Sequence, residues 1–214
     1  MTPITGTVVN FPINPITKHF RITRQVASAG PEMVWKIFDA VRTDTNELCS
    51  VFLFEKYIAD KLHKPRRREI VTNMLKREVN LLTQLNHPNL LHVVYPVVET
   101  SENIAFASEH VMLSLANYFG NHTRMPQPLP EDVQNFQLDE LDRKMGLYQL
   151  TDALRFLHSG QSLFHNNVCP SAILLTLRKQ WRLSSLAFVE ACQDDNSLRS
   201  NGKISMEKTI RTHG

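Results

Sequence analysis

Cysteine is scarce: Cys49, Cys169 and Cys192 are the three in 214 residues. They are odd in number, widely spaced and without a C-x-x-C pair, which leaves no disulfide framework, zinc site or redox dithiol to argue for. A reducing compartment fits best. Net charge is equally small: at +3 it is too mild to imply a nucleic-acid partner. The N-terminal "MTPITGTVVNFPINPITKHF" has neither a basic n-region nor a sustained apolar h-region, and no stretch approaches the ~18 apolar residues needed to cross a bilayer. Paired catalytic carboxylates, a nucleophile elbow and H-E-x-x-H are all missing, as are any internal repeat and any compositional sign of disorder. What is present is ordinary globular material, 42% apolar and 21% charged, long enough for one large domain or two small lobes. A cytoplasmic chain is expected, touching membranes only peripherally.

After a Pro-containing leader over residues 1–20, "FRITRQVASAG" and "EMVWKIFDAVR" read as a hairpin. "NELCSVFLFEKY" follows as a third strand, apolar on both faces at Val51, Phe52, Leu53 and Phe54 and therefore expected to be well covered. Ile70, Met74, Leu75, Leu81, Leu82 and Leu85 recur near helical spacing and predict a helix over roughly 68–86, stopped at His87-Pro88. "LLHVVYPVVET" and "NIAFASEHV" are two further strands, and a short helix begins near Leu113. "NHTRMPQPLPEDVQNFQ" is a Pro-rich loop. A second strong helix, "DELDRKMGLYQLTDALRFLHSG", carries Leu147, Leu150, Leu154 and Leu157 on one face, and "AILLTLRKQWRLSSLAFVE" reads as another hairpin. Strands, helix, strands and then a mainly helical portion argue for an α+β class.

The order carries recognisable motifs. "LNHPNLL" resembles the junction between helix C and strand 4 of protein kinases, and "FHNNVCPSAILL" resembles a degraded form of their catalytic loop, H-R-D-L-x-x-x-N. More narrowly, "NPITKHFRI", "VASAG" with "VWKIF", "FLFEK", "AFASE" with "SLANYFGN", and "GLYQLTDALRFLHS" are similar to the SCY1-like pseudokinases, a resemblance covering roughly residues 13–189. It implies a protein-kinase-like two-lobe fold: a complete N-lobe over 21–111 with a five-stranded antiparallel sheet and helix C, a partial helical C-lobe over 112–190, and a polar tail over 191–214.

The resemblance also implies that the catalytic positions are degenerate. The phosphate-covering glycine loop falls on Ala27, Ala29 and Glu32, ahead of Val34, so backbone amides lose the Cβ-free approach that glycine allows. The strand-3 lysine falls on Phe52, which supplies no cation. Lys36 and Lys56 could stand in, but the ordinary reading of both is a solvated lysine, and Lys56 lies about 13 Å further along an extended strand. Glu78 matches the helix C glutamate and, without its lysine, reads as a solvated helix-face residue. Asn167 stands for the catalytic Asp, and a neutral amide cannot act as a carboxylate base, a role contributing roughly 10² to 10⁴ in rate. Ala172 and Ser185 replace the two magnesium-holding side chains. The apolar frame survives: Leu82, Val93, His165 and Leu186 match the stack joining the lobes, and Val26, Val34, Ser50, Ser108, Val111 and Leu174 match the adenine-pocket walls. His165 reads as a packed core histidine.

These positions imply no catalytic residue, no metal and no required cofactor, with ATP binding at most weakly and without magnesium. The function implied is a catalytically dead interaction module in clathrin-dependent traffic between Golgi, endosomes and lysosomes, with proteins of vesicle traffic as partners. An atypical Ser/Thr kinase with residual activity is the alternative. Lys61, Lys64, Arg66, Arg67 and Arg68 could touch acidic lipids of Golgi, endosomal or coated-vesicle membranes, or serve nuclear import; a solvated basic turn is the plainer reading. "YPVV" at 95–98 fits a loose tyrosine sorting pattern but reads first as strand core. Family members carry helical repeats and adaptor-binding segments beyond the kinase-like part. The chain is therefore expected to be a fragment, truncated isoform or incomplete product that does not bind clathrin directly. Its second helix should lack neighbours and favour association, because "CQDDNSLRSNGKISMEKTIRTHG" has few apolar residues to cover it.

Overall fold

The computed structural model describes residues 11–61 and 66–191. Strands β1 (Phe20–Ala29), β2 (Trp35–Arg42), β3 (Leu48–Glu55), β4 (Val93–Glu99) and β5 (Asn103–Glu109) form one five-stranded sheet in the order β1-β2-β3-β5-β4, with all neighbours antiparallel. Successive side chains of a strand point to opposite faces, and in β3 both faces are buried. Phe52 and Phe54 face the main core, which they share with Ile37, Ile104 and Phe106; Val51 and Leu53 face a second cluster with Phe38, Ala105 and Ala107.

That second cluster corrects the leader boundary. Residues 1–10 lie outside the described residues, but Ile16 and Phe20 are buried in the outer cluster and Phe11 packs against it. A 3-10 turn over Pro15–Lys18 is capped by Asn14, whose Oδ1 accepts from the Ile16 amide at 2.8 Å and whose Nδ2 donates to Asn103 Oδ1 at 2.7 Å. Part of the leader is thus the lid of the sheet's outer face, and this lid is why β3 tolerates apolar residues on both sides. Tyr95 of "YPVV" packs edge-on to Phe20 in β4.

Helix α1 (Tyr57–Lys61) precedes α2 (Arg66–Gln84), which occupies the place of helix C. Leu75, Val79 and Leu82 turn its buried stripe toward the sheet, while Ile70 is exposed. The side chains of the basic run lie outside the described residues except Arg68, which donates to Ser101 O at 2.8 Å.

The second lobe begins with β6 (Leu113–Ser114) and short helices α3 (Leu115–Tyr118) and α4 (Glu131–Gln134), the latter inside the Pro-rich loop. Helix α5 (Glu140–Arg155) is started by a reciprocal capping box between Asp139 and Asp142 and extended by a π turn, Phe156–Gly160. Strands β7 (Leu163–Phe164) and β10 (Glu190–Ala191) pair with each other, and β8 (Ile173–Leu175) and β9 (Trp181–Leu183) form the expected hairpin beside β6. Helix α5 docks on this hairpin through Gly146, where an added Cβ would lie 2.0 Å from the Trp181 ring. Its expected single leucine face is corrected: Leu157 is buried, Leu150 and Leu154 are partly buried, and Leu147 is exposed alongside Leu141, Met145 and Tyr148. The polar tail beyond Ala191 lies outside the described residues. No helix among the described residues is long and apolar enough to cross a membrane.

Candidate functional site

The site lies where β1, β2 and the turn between them meet the second lobe. Gly30 has φ +78°, and its turn continues into Glu32 and Met33, also at positive φ. A Cβ at Gly30 would sit 2.7 Å from Trp35 Cδ1, so the turn folds directly over the Trp35 ring. Trp35 is fully buried and lies edge-on to Phe106 with centroids 5.1 Å apart, and Phe106 stacks on Phe52 at 4.6 Å. Phe52, the residue at the strand-3 lysine position, is therefore a member of an aromatic cluster beneath the turn.

The six wall positions come together, but as packed core. Val26, Val34, Val111 and Leu174 share one continuous apolar cluster, and Ser50 and Ser108 are buried and paired across β3 and β5. The Ser50 hydroxyl accepts from the Val111 amide at 2.9 Å and lies 3.3 Å from the Val111 carbonyl oxygen. Both backbone groups of that connecting residue are thus engaged from within the protein.

Hydrogen bonds tie the lobes across the same space. The Gly30 amide donates to the Ser171 carbonyl at 2.8 Å, joining the turn to the loop that follows Asn167. Asn117 is buried at the centre of the contact. Its Oδ1 accepts from the Ser28 amide at 3.0 Å and more distantly from the Ser114 amide, while its Nδ2 donates to Ser28 Oγ at 3.1 Å and Asn121 O at 2.8 Å. A buried side-chain amide with two acceptances and two donations is fully satisfied. Ser28 Oγ donates to Thr123 O at 2.8 Å, Gln25 to Arg124 O, and Arg124 to Glu32 O. Sequence reasoning missed Asn117 and Trp35. The S-x-x-N spacing of Ser114 and Asn117, which form a capping box on α3, was the available local signal for Asn117.

Three expectations about charged groups are corrected. Glu78 is not solvated: it is buried, and its Oε1 accepts from the Ser185 amide at 3.0 Å. Burial pushes its carboxyl up to about 7, against smaller downward pulls from the Ser185 N–H and the nearby Trp35 indole. The indole and Glu78 Oε2 approach without reaching hydrogen-bond geometry, leaving both atoms unpaired. Lys56 is also buried, held by Glu99 and the Thr100 carbonyl at 2.7 Å each, and Lys36 is partly buried and paired with Glu55. Each lysine is paired with another carboxylate, Glu55 or Glu99, and Glu78 with the Ser185 amide.

At the catalytic-loop positions, His165 is buried. Its Nε2 lies 2.8 Å from Ser184 O, and its Nδ1 accepts from the Asn167 amide at 3.2 Å. That pairing fixes a neutral ring protonated at Nε2, and burial holds its pKa below the usual histidine range. Asn167 Nδ2 lies 3.5 Å from Ser185 Oγ, so these two positions adjoin; Ala172 is fully buried. Ser185 itself is left-handed at φ +62° and anchors α2 through Glu78. Phe52, Asn167, Ala172 and Ser185 contribute no charged group between them. Among the described residues no cluster of three or more His, Cys, Asp or Glu could hold a metal ion.

Comparison with known proteins gives this architecture a family. A model of the protein tyrosine and serine/threonine kinase family matches residues 54–209. SCY1-like protein 2 of Homo sapiens is 37% identical over 175 residues, 82% of this chain and 19% of that protein. The protein kinase domain-containing protein ppk32 of Schizosaccharomyces pombe is 27% identical over 74% of this chain and 23% of its own length. The protein kinase-like protein SCY1 of Saccharomyces cerevisiae is 32% identical over 54% of this chain and 14% of its own. The chain thus spans about a fifth of the length of its SCY1-like protein 2 relative, and it belongs to the protein kinase family as one of its SCY1-like members.

Proposed function

We propose that this chain is a catalytically inactive, kinase-like interaction module whose partners are proteins of clathrin-dependent vesicle traffic. The observation that supports the first half is the joined lobes: the Gly30–Ser171 and Ser28–Asn117 bonds bridge them beside the packed Val26, Val111 and Leu174. Phosphoryl transfer depends on positioned cations and metal ligands, and the side chains at Phe52, Ala172 and Ser185 do not fit a magnesium nucleotide. The traffic role rests on the SCY1-like relationship alone, and the contacts it implies are with protein surfaces. Thermal-shift titration with ATP, with and without magnesium, tests the inactive reading, and no shift is expected. Magnesium-dependent stabilisation, or transfer of labelled γ-phosphate that disappears in Lys56→Ala, would promote an atypical Ser/Thr kinase instead.

A further inference from the structure

The segment that follows α3 reaches back to the first lobe at two places. At its near end, Thr123 O accepts from Ser28 Oγ at 2.8 Å and Arg124 O from Gln25 Nε2 at 2.6 Å, while the Arg124 guanidinium donates to Glu32 O at 2.9 Å. At its far end, α4 presents Asp132 to Arg24 of β1 in a bidentate pair, Nη1 to Oδ1 at 3.1 Å and Nη2 to Oδ2. Between the two ends run residues 125–130, in which Pro126, Pro128 and Pro130 have no N–H to donate. The segment is thus fastened to β1 and its turn chiefly at its ends.

Different forces hold the two ends. The near end relies on backbone carbonyls as acceptors, and Met125 beside them is buried. The far end is ionic and wet: the side chains of Arg24 and Asp132 are 48% and 36% exposed, so salt screens their attraction and other ions can compete for it. Releasing Asp132 strands no cation. Arg24 Nε keeps Asp39 Oδ2 at 3.0 Å, and Asp39 is itself held by His110 Nε2 at 3.0 Å. Val133, next to Asp132, seats in the main apolar cluster, which makes release a local opening rather than a detached arm. Leu129, Val133 and Phe136 also line a hollow of about 440 Å3 together with Asn117 and Tyr118 of α3. The shape of that hollow is therefore tied to where α4 sits.

We propose that residues 121–133 are a strap holding β1 to the second lobe, hinged at Thr123 and Arg124 and fastened at its other end by the Arg24–Asp132 pair as a releasable latch. When the latch opens, α4 moves away from β1 and the hollow beside α3 changes shape, while the Ser28–Asn117 and Gly30–Ser171 bonds stay made. The surface formed by α3 and α4 is thereby conditional on charge. A rise in ionic strength releases it, as does a cationic group that displaces Arg24 from Asp132. The latch works in the same way whether or not nucleotide binds.

Amide hydrogen exchange on the 214-residue chain tests it. The Gln134 and Asn135 amides, bonded to Pro130 O and Glu131 O, report on the far end, and the Ser28 and Gly30 amides on the seam. In low salt, Asp132→Asn should speed exchange at Gln134 and Asn135 by about two- to fivefold, the range an exposed ion pair supports, and leave Ser28 and Gly30 unchanged. Arg24→Gln should do the same at the far end, and the double variant should add nothing to either single change. The difference from wild type should shrink at high salt. Glu131→Gln removes the neighbouring first-turn charge without touching the pair, and should leave the far end slow. Exchange in Asp132→Asn as slow as in the wild type would overturn the proposal. Equal acceleration in Glu131→Gln would also overturn it, by reducing the effect to helix charge, and so would equal acceleration at Ser28 and Gly30, which would mean that the lobes part as one.

Discussion

Replacing Glu78 with Gln should remove a pH dependence that the wild-type fold carries. The carboxyl is buried, and its pKa rises from 4.5 to about 7, chiefly through desolvation. Between those values the folded chain holds a proton that the unfolded chain has given up, so stability declines as pH rises through the window and levels off above it. A difference of about 2.5 pH units corresponds to about 3 kcal/mol at ~1.36 kcal/mol per unit. Gln carries no charge and its Oε1 can still accept from the Ser185 amide. The variant should match the wild type near pH 5 and exceed it by up to about 3 kcal/mol at pH 8. At ~2–4 °C per kcal/mol for a chain of this size, that is roughly 6–12 °C in Tm. Tryptophan fluorescence suits the assay, since Trp35 and Trp181 are both buried. His165 titrates with the opposite slope, its depressed pKa costing stability as pH falls, but it is present in both proteins and cancels in the difference. Wild-type and variant curves that run parallel from pH 5 to 8 would refute the reasoning.

Gly146→Ala should destabilise by at least ~1–3 kcal/mol in chemical denaturation, because its new Cβ would meet the Trp181 ring at 2.0 Å and force α5 off the β8–β9 hairpin. Unchanged stability would mean that this contact is not where the helix docks. Asn117→Ala should cost about 1–3 kcal/mol by stranding the buried Ser28 amide, and should speed hydrogen exchange there. Exchange at Ser28 as slow as in the wild type would show that the lobes are held together elsewhere.

The parts of the fold legible in the sequence are those set by local periodicity. Phe52 and Phe54 against Val51 and Leu53 announced a strand covered on both sides, and the apolar spacing of α2 announced its helix, because alternation and helical repeat are written within a few residues. The cover itself was not legible. Ile16 and Phe20 reach the outer face from a segment that reads as a loose leader, and Asn14 is fixed by Asn103, 89 positions away. Asn117 escaped for the same reason, since its partner Ser28 is also 89 positions distant. Glu78 was misread because charge on a helix normally means solvent. What holds it inside is a backbone amide of Ser185, and backbone donors leave no mark in a sequence.

Those two misread features belong together. A cleft that admits a charged ligand must keep a gap between apolar walls, and the gap persists only while cations or metal-holding groups face it. With Phe52 where the lysine would stand, that position carries no cation, and Phe52 packs instead with Trp35 and Phe106. Glu78 then has no cation to meet, and a fully ionised carboxylate in that surrounding would be expensive; the Ser185 N–H and a raised pKa are how it is accommodated. If the chain is inactive as proposed, the same substitutions also remove the reason for the lobes to move apart. With Asn117 bonding across the seam, one closed arrangement is favoured over an opening and closing pair. A surface formed by both lobes is then preorganised, and a preorganised surface loses less entropy on meeting a partner. On the reading proposed above, the loss of phosphoryl-transfer chemistry and the suitability for protein contact would have a single physical origin.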